Sequence, residues 1–281
     1  MPIEIRIQPK SDLALVDFRE LWRYRDLISM FVWRDFSVKY KQTLLGPIWF
    51  LLQPLLPTIV FTLIFGKLAG MSTDGLPQFL FFLCGQIAWG YFSANYSSTA
   101  TCLLNNMNLF TKVYLPRLVV PLASLASNAI SIGIQLGLFA IAWCWFKFGT
   151  KEGAGLQLSP ALLCLPLLFL LAAAQGLGFG LWMAAFTAKY RDLQQLSAVI
   201  IQLWMYGSAV IFPLSQVPEK YQTLVSLNPV TFLVEAFRVS LLGVGTISWG
   251  SGIYAVGVTA LVLVSGLYVF NKTARTFVDI A

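Results

Sequence analysis

Long stretches without a charged residue dominate the pattern of hydrophobic and polar positions along this chain. Six of them lie between neighbouring charged residues: 42–66, 75–111, 118–146, 153–188, 193–218 and 239–271. About 20 apolar residues let a helix cross about 30 Å of hydrocarbon, and each stretch exceeds that length. The pattern therefore predicts an all-α integral membrane protein with six transmembrane helices, at about 48–66, 78–99, 119–146, 160–187, 194–214 and 250–270.

The composition supports this prediction, because the 281 residues are 58% hydrophobic and 11% charged, with a mean hydropathy of +0.74. About a quarter of the residues of a soluble domain are charged, so this chain has too few charges to cover a soluble surface. It has no histidine, which excludes Ser-His-Asp and Cys-His catalysis and most zinc sites. The four cysteines form no Cys-x-x-Cys pair. We therefore predict no catalytic residue and no metal site, and interpret the cysteines as packing residues.

The basic residues predict the orientation of the spans. With residues 1–47 in the cytosol, the cytosolic segments carry fourteen Lys and Arg residues and the external segments five, in agreement with the positive-inside rule. The basic N-terminal segment does not resemble a signal peptide, in which the apolar stretch follows a short basic start at once. We expect a multi-pass protein with both termini in the cytosol. The pI near 9.3 reflects this topology, so no nucleic-acid partner is predicted.

Residues 18–40 are predicted to form an amphipathic helix that lies in the membrane plane. Apolar residues recur there at intervals of three and four, and most charged residues fall between them. A cytosolic helix that packs on a soluble partner would show the same pattern. We divide the chain into a cytosolic N-terminal segment, 1–47, and a membrane domain, 48–281. The apolar positions of the helix are Leu21, Tyr24, Leu27, Ile28 and Phe31.

Residues 215–249 do not fit a simple span. The uncharged run 221–234 is too short to cross the membrane, and such runs are typical of re-entrant or interfacial segments. Asn228-Pro229 would interrupt a helix, because proline lacks the amide donor and restricts the residue before it. We predict two short re-entrant helices between the fifth and sixth spans. A plain external loop with some hydrophobic residues is the alternative.

The predicted spans contain no charged side chain. Proton-coupled carriers usually keep ionisable groups in their spans, so a proton-coupled mechanism is not expected. The chain also lacks the phosphate-binding sequence Gly-x-x-x-x-Gly-Lys-Ser/Thr that an ATPase needs. Driven transport would therefore require a separate ATPase that docks on the cytosolic loops, whereas a passive pore would need none.

The first cytosolic loop, 105–117, offers a docking surface. It begins with asparagines, which favour the start of a helix, and ends at a proline. Phe110 and Tyr114 are four residues apart and would form a compact exposed knob on a short helix. An interfacial turn whose aromatic residues mark the headgroup level is the alternative.

Short motifs along the chain resemble those of one transporter family, in both order and topology. The first motifs lie before the first predicted span and at its start. Others lie in the first two cytosolic loops, and the last lies on the external side. They are Tyr24-Arg25-Asp26-Leu27, Arg34-Asp35 with Lys39-Tyr40-Lys41, Leu45-Gly46 with Trp49, Gln53 and Pro54, Lys112-Val113-Tyr114-Leu115-Pro116-Arg117, Tyr190-Arg191-Asp192-Leu193, and Asn228-Pro229 with Glu235, Phe237-Arg238 and Leu241. From about Leu21 onward the chain resembles the permease subunit of ABC-2 type exporters for cell-surface polysaccharides: O-antigen, capsule or teichoic acid.

This resemblance implies a homodimer in the bacterial cytoplasmic (inner) membrane that works with two copies of a nucleotide-binding ATPase subunit. The ATPase would bind and hydrolyse ATP with Mg, and the permease would hold no cofactor. The cargo would be a polysaccharide on a polyprenyl lipid, moved through a channel between the two permeases. Exporters of the three polymer classes share these motifs, so the resemblance does not identify the polymer.

The resemblance also implies roles for three groups of residues. The first two cytosolic loops would couple the permease to the ATPase, the N-terminal amphipathic helix would be an interfacial gate helix, and the 215–249 region would lie near the outer exit. The coupling residues would be Asn108, Phe110, Lys112, Tyr114, Leu115, Pro116, Arg117, Arg191 and Asp192. The gate helix would use Tyr24, Arg25, Asp26, Arg34 and Asp35, and the re-entrant region Asn228, Pro229, Glu235 and Arg238.

Aromatic residues crowd the first two predicted spans. Aromatic rings offer flat, weakly binding surfaces to the C–H faces of sugars, which would let a polymer slide, so we predict that some of them line the channel. Rings that face lipid or mark the interfaces would produce the same composition. Two other functions fit the sequence: a related ABC permease for a drug or small lipid, and a passive channel or structural membrane protein. The candidate channel residues are Trp49, Phe50, Phe61, Phe79, Trp89, Tyr91, Phe92 and Tyr96.

Overall fold

The computed structural model of the chain describes residues 18–39, 41, 44–112, 115–153, 155–157 and 159–280, and this part contains helices and turns but no strand. A 3₁₀ turn, Gly46–Ile48, precedes the helix Trp49–Phe61, and π-helical turns extend that helix from Thr62 to Leu68. A second 3₁₀ turn, Pro160–Cys164, precedes the helix Leu165–Lys189. The helices are α1 (Phe18–Arg23), α2 (Arg25–Val38), α3 (Trp49–Phe61), α4 (Gln78–Ala100), α5 (Cys102–Asn105), α6 (Met107–Lys112), α7 (Val119–Gly149), α8 (Leu165–Lys189), α9 (Leu193–Tyr206), α10 (Glu219–Ser226), α11 (Pro229–Leu242) and α12 (Trp249–Ile280).

Four helical segments of the described chain are long and apolar enough to cross a membrane: Gly46–Leu68, Val119–Gly149, Pro160–Lys189 and Trp249–Ala274. They correspond to the first, third, fourth and sixth predicted spans. Helices α10 and α11 together form a further apolar segment, which bends by 100° between them. The predicted second and fifth spans are α4 and α9, and neither meets both criteria. Helix α9 has 14 residues, which is about 21 Å at 1.5 Å per residue, and it ends before the predicted boundary at residue 214.

Helix α4 is the central helix of the bundle. It packs against α3, α7, α8 and α11, and 16 of its 23 residues are buried. Because protein surrounds α4 on most sides, it carries polar side chains such as Gln86 and Asn95 that would be costly next to lipid. This burial explains why α4 is less apolar than the helices at the periphery.

Glycines on two sides of α8 bring three helices close together. A Cβ atom at Gly176 would lie 2.6 Å from Asn95 Cβ, and one at Gly180 would lie 2.6 Å from Thr99 Cβ, both on α4. On another side of α8, a Cβ at Gly178 would lie 3.0 Å from a backbone nitrogen of α12. Small residues allow helix backbones to approach closely in membrane proteins. The contacts α4–α8 and α8–α12 therefore depend on these positions.

The bundle has two distinct ends. At one, which we call the α2 end, a buried cluster joins α2, α5, α6, the start of α7 and the last part of α12, and includes Phe31, Phe110 and Phe270. At the other, the α10 end, Ser215 Oγ donates hydrogen bonds of 2.9 and 3.0 Å to the Asp74 carboxylate and so connects the turns before α4 and α10. The long helices run between these two ends.

The predicted N-terminal helix is divided at Tyr24 into α1 and α2, and α2 ends at Val38. Helix α2 lies along α7 and buries Phe31. On its outer side Met30 is 68% exposed and Trp33 is 62% exposed. Arg25, Asp26 and Arg34 are exposed on this helix as well, and a surface that mixes apolar and charged side chains suits a helix at a membrane interface. Tyr40 and residues 1–16 lie outside the described residues.

Candidate functional site

Helix α2 contacts α7 through polar residues spaced four apart on each helix. Asp35 Oδ2 accepts a 3.2 Å hydrogen bond from Ser124 Oγ, and Lys39 Nζ donates a 2.8 Å hydrogen bond to Asn128 Oδ1. Phe31 continues the same side of α2 into the buried cluster. Residues four apart lie on one side of a helix, so the two helices present matching pairs to each other. These two hydrogen bonds fasten the predicted gate helix to the bundle.

The other predicted gate residues form no hydrogen bond with α7 in the part of the chain that the structure describes. Arg34 Nη2 lies 2.8 Å from Asp35 Oδ1. Arg25 and Asp26 are exposed, with 3.7 Å between Nε and Oδ1, and such a surface pair contributes little to stability. Tyr24 is half-buried at the junction of α1 and α2 and packs against the cluster at the α2 end. Only Asp35 of the predicted set therefore bonds α2 directly to α7.

Asn128 extends the polar contacts from α2 into the centre of the bundle. Its Nδ2 donates a 3.0 Å hydrogen bond to Asn95 Oδ1 and a 3.3 Å hydrogen bond to Ser98 Oγ, both on α4. Asn95 is fully buried, and its Nδ2 has no hydrogen-bond partner among the described residues. The Lys39 ammonium is thus the first member of a polar chain that reaches the central helix.

A cavity of about 440 Å³ lies beside this chain, between α3, α4 and α7, with Lys39 and Met205 of α9 also in its wall. Its volume falls in the range of small-molecule sites, about 300–1,000 Å³. Three aromatic residues, Phe50, Trp89 and Tyr91, face a wall rich in amides and hydroxyls. The polar side chains of the lining are Gln53, Gln86, Ser93, Ser98, Asn128, Ser131 and Gln135.

Two prolines interrupt the backbone hydrogen bonding of α3 beside this cavity. Pro54 and Pro57 lie inside the helix and lack the amide that would bond the carbonyl four residues earlier. Those carbonyls belong to Phe50 and Gln53, which both line the cavity. In a helix without these prolines, backbone amides would donate hydrogen bonds to both carbonyls.

Lys39 is the one charged residue that lines the cavity, as far as the structure describes it. Partial burial disfavours the ammonium and lowers the Lys39 pKa, and the nearby Asp35 carboxylate opposes this effect. No group of three or more His, Cys, Asp or Glu side chains that could hold a metal ion occurs in the described part of the chain. The cavity therefore offers a binding surface of ring faces, amides, hydroxyls and one cation.

The predicted channel aromatics occupy different environments. Phe50, Trp89 and Tyr91 line the cavity. Phe92 is fully buried with its ring centre 5.3 Å from that of Trp204, and the Tyr96 hydroxyl lies 2.9 Å from Ser197 Oγ. Phe92 and Tyr96 thus pack within the protomer.

The remaining three channel candidates lie elsewhere in the bundle. Trp49 is 42% exposed at the start of α3. Phe61 packs edge-on against Phe65, and Phe79 stacks on Phe146. None of these three lines the cavity as described. Their place in a channel stays a prediction.

The first loop at the α2 end is formed by two short helices, α5 and α6, which are separated at Asn106. The expected exposed knob is wrong for Phe110, which is 8% exposed because its ring fills the buried cluster. Tyr114 lies outside the described residues. Leu115 is buried as well, and Pro116 and Arg117 are half-buried.

Exposed polar residues remain on both loops at this end. Asn108 and Lys112 are exposed and four residues apart on α6, and Arg191 and Asp192 are exposed in the turn before α9. A hydrogen bond of 3.0 Å from Thr187 Oγ1 to the Ala100 carbonyl joins the ends of α8 and α4. Both predicted coupling loops therefore start from the same end of the bundle.

At the α10 end, Asn228 connects α11 to the end of α9. Its Oδ1 accepts hydrogen bonds from the Val230 amide at 3.0 Å and from Trp204 Nε1 at 3.1 Å. Its Nδ2 donates to the Gly207 carbonyl at 3.0 Å. Pro229 follows as the first residue of α11, where its missing amide costs nothing. Asn228-Pro229 thus defines the bend between α10 and α11.

Glu235 and Arg238 form a buried ion pair on α11. Arg238 Nη1 lies 2.8 Å from Glu235 Oε1, and Nη2 donates a 2.8 Å hydrogen bond to the Val210 carbonyl. The Glu235 carboxylate also accepts hydrogen bonds from the Leu214 amide at 3.3 Å and the Thr246 amide at 3.2 Å. The pair therefore holds the turns on both sides of the bent helices.

Sequence reasoning missed the polar side of α7. Ser124, Asn128, Ser131 and Gln135 recur at intervals of four, three and four within an uncharged stretch. That spacing places all four on one side of a helix, and the last three line the cavity. The signal was therefore present in the sequence.

Comparison with known proteins agrees with this architecture. The sequence model of the ABC-2 type transporter family matches residues 26–242, which include α2 to α11 apart from the first residue of α2. The match thus contains the cavity, both loops at the α2 end and the bent pair α10–α11.

Several relatives carry names of polysaccharide export or transport proteins. The chain is 27% identical over 222 residues to an O-antigen export system permease protein of Myxococcus xanthus, covering 78% of this chain and 82% of that protein. It is 24% identical over 244 residues to a polysialic acid transport protein of Escherichia coli, covering 85% and 90%. A capsule polysaccharide export inner-membrane protein of Neisseria meningitidis is 21% identical over 258 residues, covering 89% and 92%.

Proposed function

The chain belongs to the ABC-2 type transporter family, and on this premise we propose that it is the membrane-spanning permease of an ATP-driven exporter of a cell-surface polysaccharide. The cargo is a polysaccharide carried on a polyprenyl lipid, of the O-antigen, capsule or teichoic-acid kind. The protein resides in the bacterial inner membrane. It contributes the path across the membrane and no ATPase chemistry.

The cavity beside α3 is the observation that carries this proposal. Phe50, Trp89 and Tyr91 supply ring faces for sugar C–H groups, and the surrounding amides and hydroxyls match sugar hydroxyls. Lys39 supplies one cation, which suits a phosphate that links the sugar to its lipid. A purely apolar cargo would gain nothing from such a wall.

We assign the channel to a pair of permeases, with one cavity from each. Helices α3 and α9 flank the cavity and carry exposed apolar residues, including Leu56 at 53% and Leu203 at 63% exposed. A second copy against these helices would cover that surface and place the two cavities along one path. Homodimers of this kind use the same surface on both subunits.

The α2 end faces the cytosol in this proposal. Both termini then lie there, α4 and α9 complete a set of six spans, and the bent pair α10–α11 enters the outer leaflet without crossing. Helix α2 serves as the gate helix at the inner interface, where its contacts with Ser124 and Asn128 connect it to the cavity wall. Movement of α2 would therefore alter the cavity directly.

Energy enters through two copies of a separate ATPase that bind ATP and Mg. The exposed residues Asn108, Lys112, Arg191 and Asp192 offer the docking surface, since they project from neighbouring loops at the α2 end. Buried Phe110 supports the first loop from within, because it joins the loop to α2. Force on this loop would thereby reach the gate helix.

Deletion of the gene tests the proposal with two readouts. We expect loss of polysaccharide from the cell surface and accumulation of lipid-linked polymer in the cytosol. Loss of surface polymer without accumulation would indicate a role in synthesis. Normal surface polymer would contradict the proposal and favour export of a drug or small lipid by a related permease.

A matched pair of variants tests the cavity. Gly90 lines the cavity and Gly133 is exposed on α7, and a Cβ at either position meets nothing within 4 Å. Gly90→Leu is expected to reduce surface polysaccharide because the added side chain fills the cavity. Gly133→Leu is expected to export normally. If both variants are present in the membrane in equal amounts and both export the polysaccharide normally, transport does not use this cavity.

A further inference from the structure

A second, larger concavity lies at the α10 end and shares no lining residue with the cavity beside α3 that Lys39 lines, which we call the Lys39 cavity. It is a groove of about 750 Å³ between α10, α11, the turn after α11 and the start of α12. Half of its lining residues carry a hydroxyl group, including Thr223, Ser226, Thr231 and Ser248. The predicted re-entrant segment is therefore the wall of a polar groove as well as a structural connection.

The charge of the groove selects the kind of ligand. None of its lining residues is Lys or Arg. Glu235 is the one charged residue in the lining, and both of its carboxylate oxygens are already engaged, by Arg238 and by backbone amides. Phosphate and carboxylate ligands require cationic or clustered amide donors, which this wall lacks. The groove therefore suits a neutral, hydroxylated ligand.

One side chain in the groove lacks its hydrogen bond. Thr231 is 1% exposed and its Oγ1 has no partner among the described residues. Thr231 lies in the first turn of α11, so no carbonyl of its own helix stands four residues earlier; Leu227 at that position caps the end of α10, and its carbonyl accepts the Tyr254 hydroxyl at 2.9 Å. An unpaired buried hydroxyl destabilises the fold, and a ligand hydroxyl that reached it would offset that cost.

The shape of the groove depends on the buried ion pair. The Thr246 amide bonds Glu235 Oε2, and this contact holds the turn 243–248 beside α11. Within that turn Gly245 has a φ of +152°, and a Cβ there would lie 2.8 Å from Val239 Cγ2 and 3.0 Å from Glu235 Oε2. Only glycine fits this approach without strain. The close approach of Gly245 to Glu235 and the Thr246–Glu235 hydrogen bond therefore fix the position of the turn that forms one wall of the groove.

We propose that this groove binds an uncharged segment of the exported polysaccharide as it leaves the membrane. The inference rests on the proposed function, because it takes the groove ligand to be the exporter's own cargo. Hydroxyls of the wall would bond sugar hydroxyls, and the Phe232 and Tyr254 rings would contact C–H faces. The site recognises sugars apart from the lipid, whereas the Lys39 cavity combines ring faces with a cation.

The test is equilibrium binding to the full-length protein with its partner ATPase in nanodiscs. The probe is a set of short, lipid-free oligosaccharides cut from the source cell's own surface polysaccharide. Thr231→Val is expected to weaken binding about fivefold, the equivalent of about 1 kcal/mol for one hydrogen bond. The same variant is expected to keep or raise the melting temperature, because it removes an unpaired buried hydroxyl. A purely structural threonine would leave binding unchanged.

A control and a second variant complete the experiment. Thr259 is a buried threonine on α12 whose hydroxyl bonds the Ala255 carbonyl at 2.6 Å, so Thr259→Val is expected to bind normally. Ser226→Trp would fill the groove and is expected to abolish binding. Unchanged binding by Thr231→Val and Ser226→Trp would overturn the inference. Displacement of the oligosaccharide by glycerol phosphate, which is part of the headgroup of anionic lipids, would overturn it as well.

The deletion phenotype distinguishes the two levels of failure. If deletion abolishes surface polysaccharide but the wild-type protein binds no oligosaccharide, the groove assignment fails and the proposed function stands. If deletion leaves surface polysaccharide intact, the proposed function fails, and oligosaccharide binding at the groove would then have no export role.

Discussion

The guanidinium of Arg238 lies 3.8 Å from the centre of the Phe81 ring while its Nη1 pairs with Glu235 at 2.8 Å. Arg238 is on α11 and Phe81 is on the central helix α4, so the arginine connects the bent pair to the core by a cation–π contact as well as by its ion pair. Both side chains of the ion pair are almost completely buried. A charge in this position has no access to water if its partner is removed.

Arg238→Met is therefore expected to destabilise the protein strongly. Loss of one partner from a buried ion pair costs about 3–5 kcal/mol, because the other charge stays buried and unpaired. The melting temperature of the purified permease would show this loss, and the double variant Glu235→Gln/Arg238→Met should recover part of it. Glu219→Gln on α10, at an exposed position, serves as the control. A melting temperature equal to that of the control would refute a structural role for the pair.

Gly180→Ala is expected to separate α8 from α4. The added Cβ would lie 2.6 Å from Thr99 Cβ and 2.9 Å from the Tyr96 carbonyl oxygen, and overpacking of this kind costs about 1–3 kcal/mol. Gly137→Ala is the matched control, because a Cβ there meets nothing within 4 Å and alanine favours helix. Thermal unfolding of both variants measures the difference. Equal stability would mean that the two helices do not rely on this close approach.

Lys39 is expected to make stability depend on alkaline pH. Burial lowers its pKa in the folded protein from 10.5, so between the two pKa values the folded state binds fewer protons than the unfolded chain. The contribution of Lys39 to stability therefore rises as pH increases through this interval. The measurement is the difference in melting temperature between the wild-type protein and Lys39→Met from neutral pH to pH 10.5. A difference that falls with pH would contradict the burial of the ammonium.

Arg191→Glu and Lys112→Glu are expected to weaken association with the ATPase without changing the amount of permease in the membrane. Both side chains are exposed at the α2 end, where reversal of charge opposes a docked partner without disturbing the core. Co-purification of the ATPase measures the effect. Lys151→Glu, an exposed lysine on the turn after α7, is the control at the opposite end of the bundle. Normal co-purification by both variants would exclude these loops from docking.

Most of the helices could be located from the sequence, because charge-free stretches of sufficient length have few other stable structures in a membrane. The stretches around α7 and α8 predicted those helices closely, whereas α12 continues past its predicted end at residue 270 to Ile280. Helix α9 was predicted too long, since hydrophobicity continues past Tyr206 into turns that contact α11. The Asn228-Pro229 break was predicted because proline is a local signal with a local effect.

The candidate site was harder to predict. Phe110 was expected on the surface, but its ring lies inside because α2 folds back onto the loop. The Lys39–Asn128 hydrogen bond joins residues 89 positions apart, and no local pattern specifies such a pair. The spacing of polar residues on α7 indicates that Asn128 lies on a polar side of its helix, but it does not indicate that Lys39 is the partner.

The amino-acid order alone determined that the chain is helical, that it enters a membrane and that a helix breaks at Asn228-Pro229, because these properties follow from hydrophobicity and backbone chemistry over neighbouring residues. The tertiary structure alone decided which helix became the centre, which aromatic rings line a cavity, and that the Thr231 hydroxyl has no hydrogen-bond partner among the described residues. Those outcomes depend on which side of each helix meets another, and that is set by close packing at positions such as Gly176 and Gly180, between residues far apart in the chain.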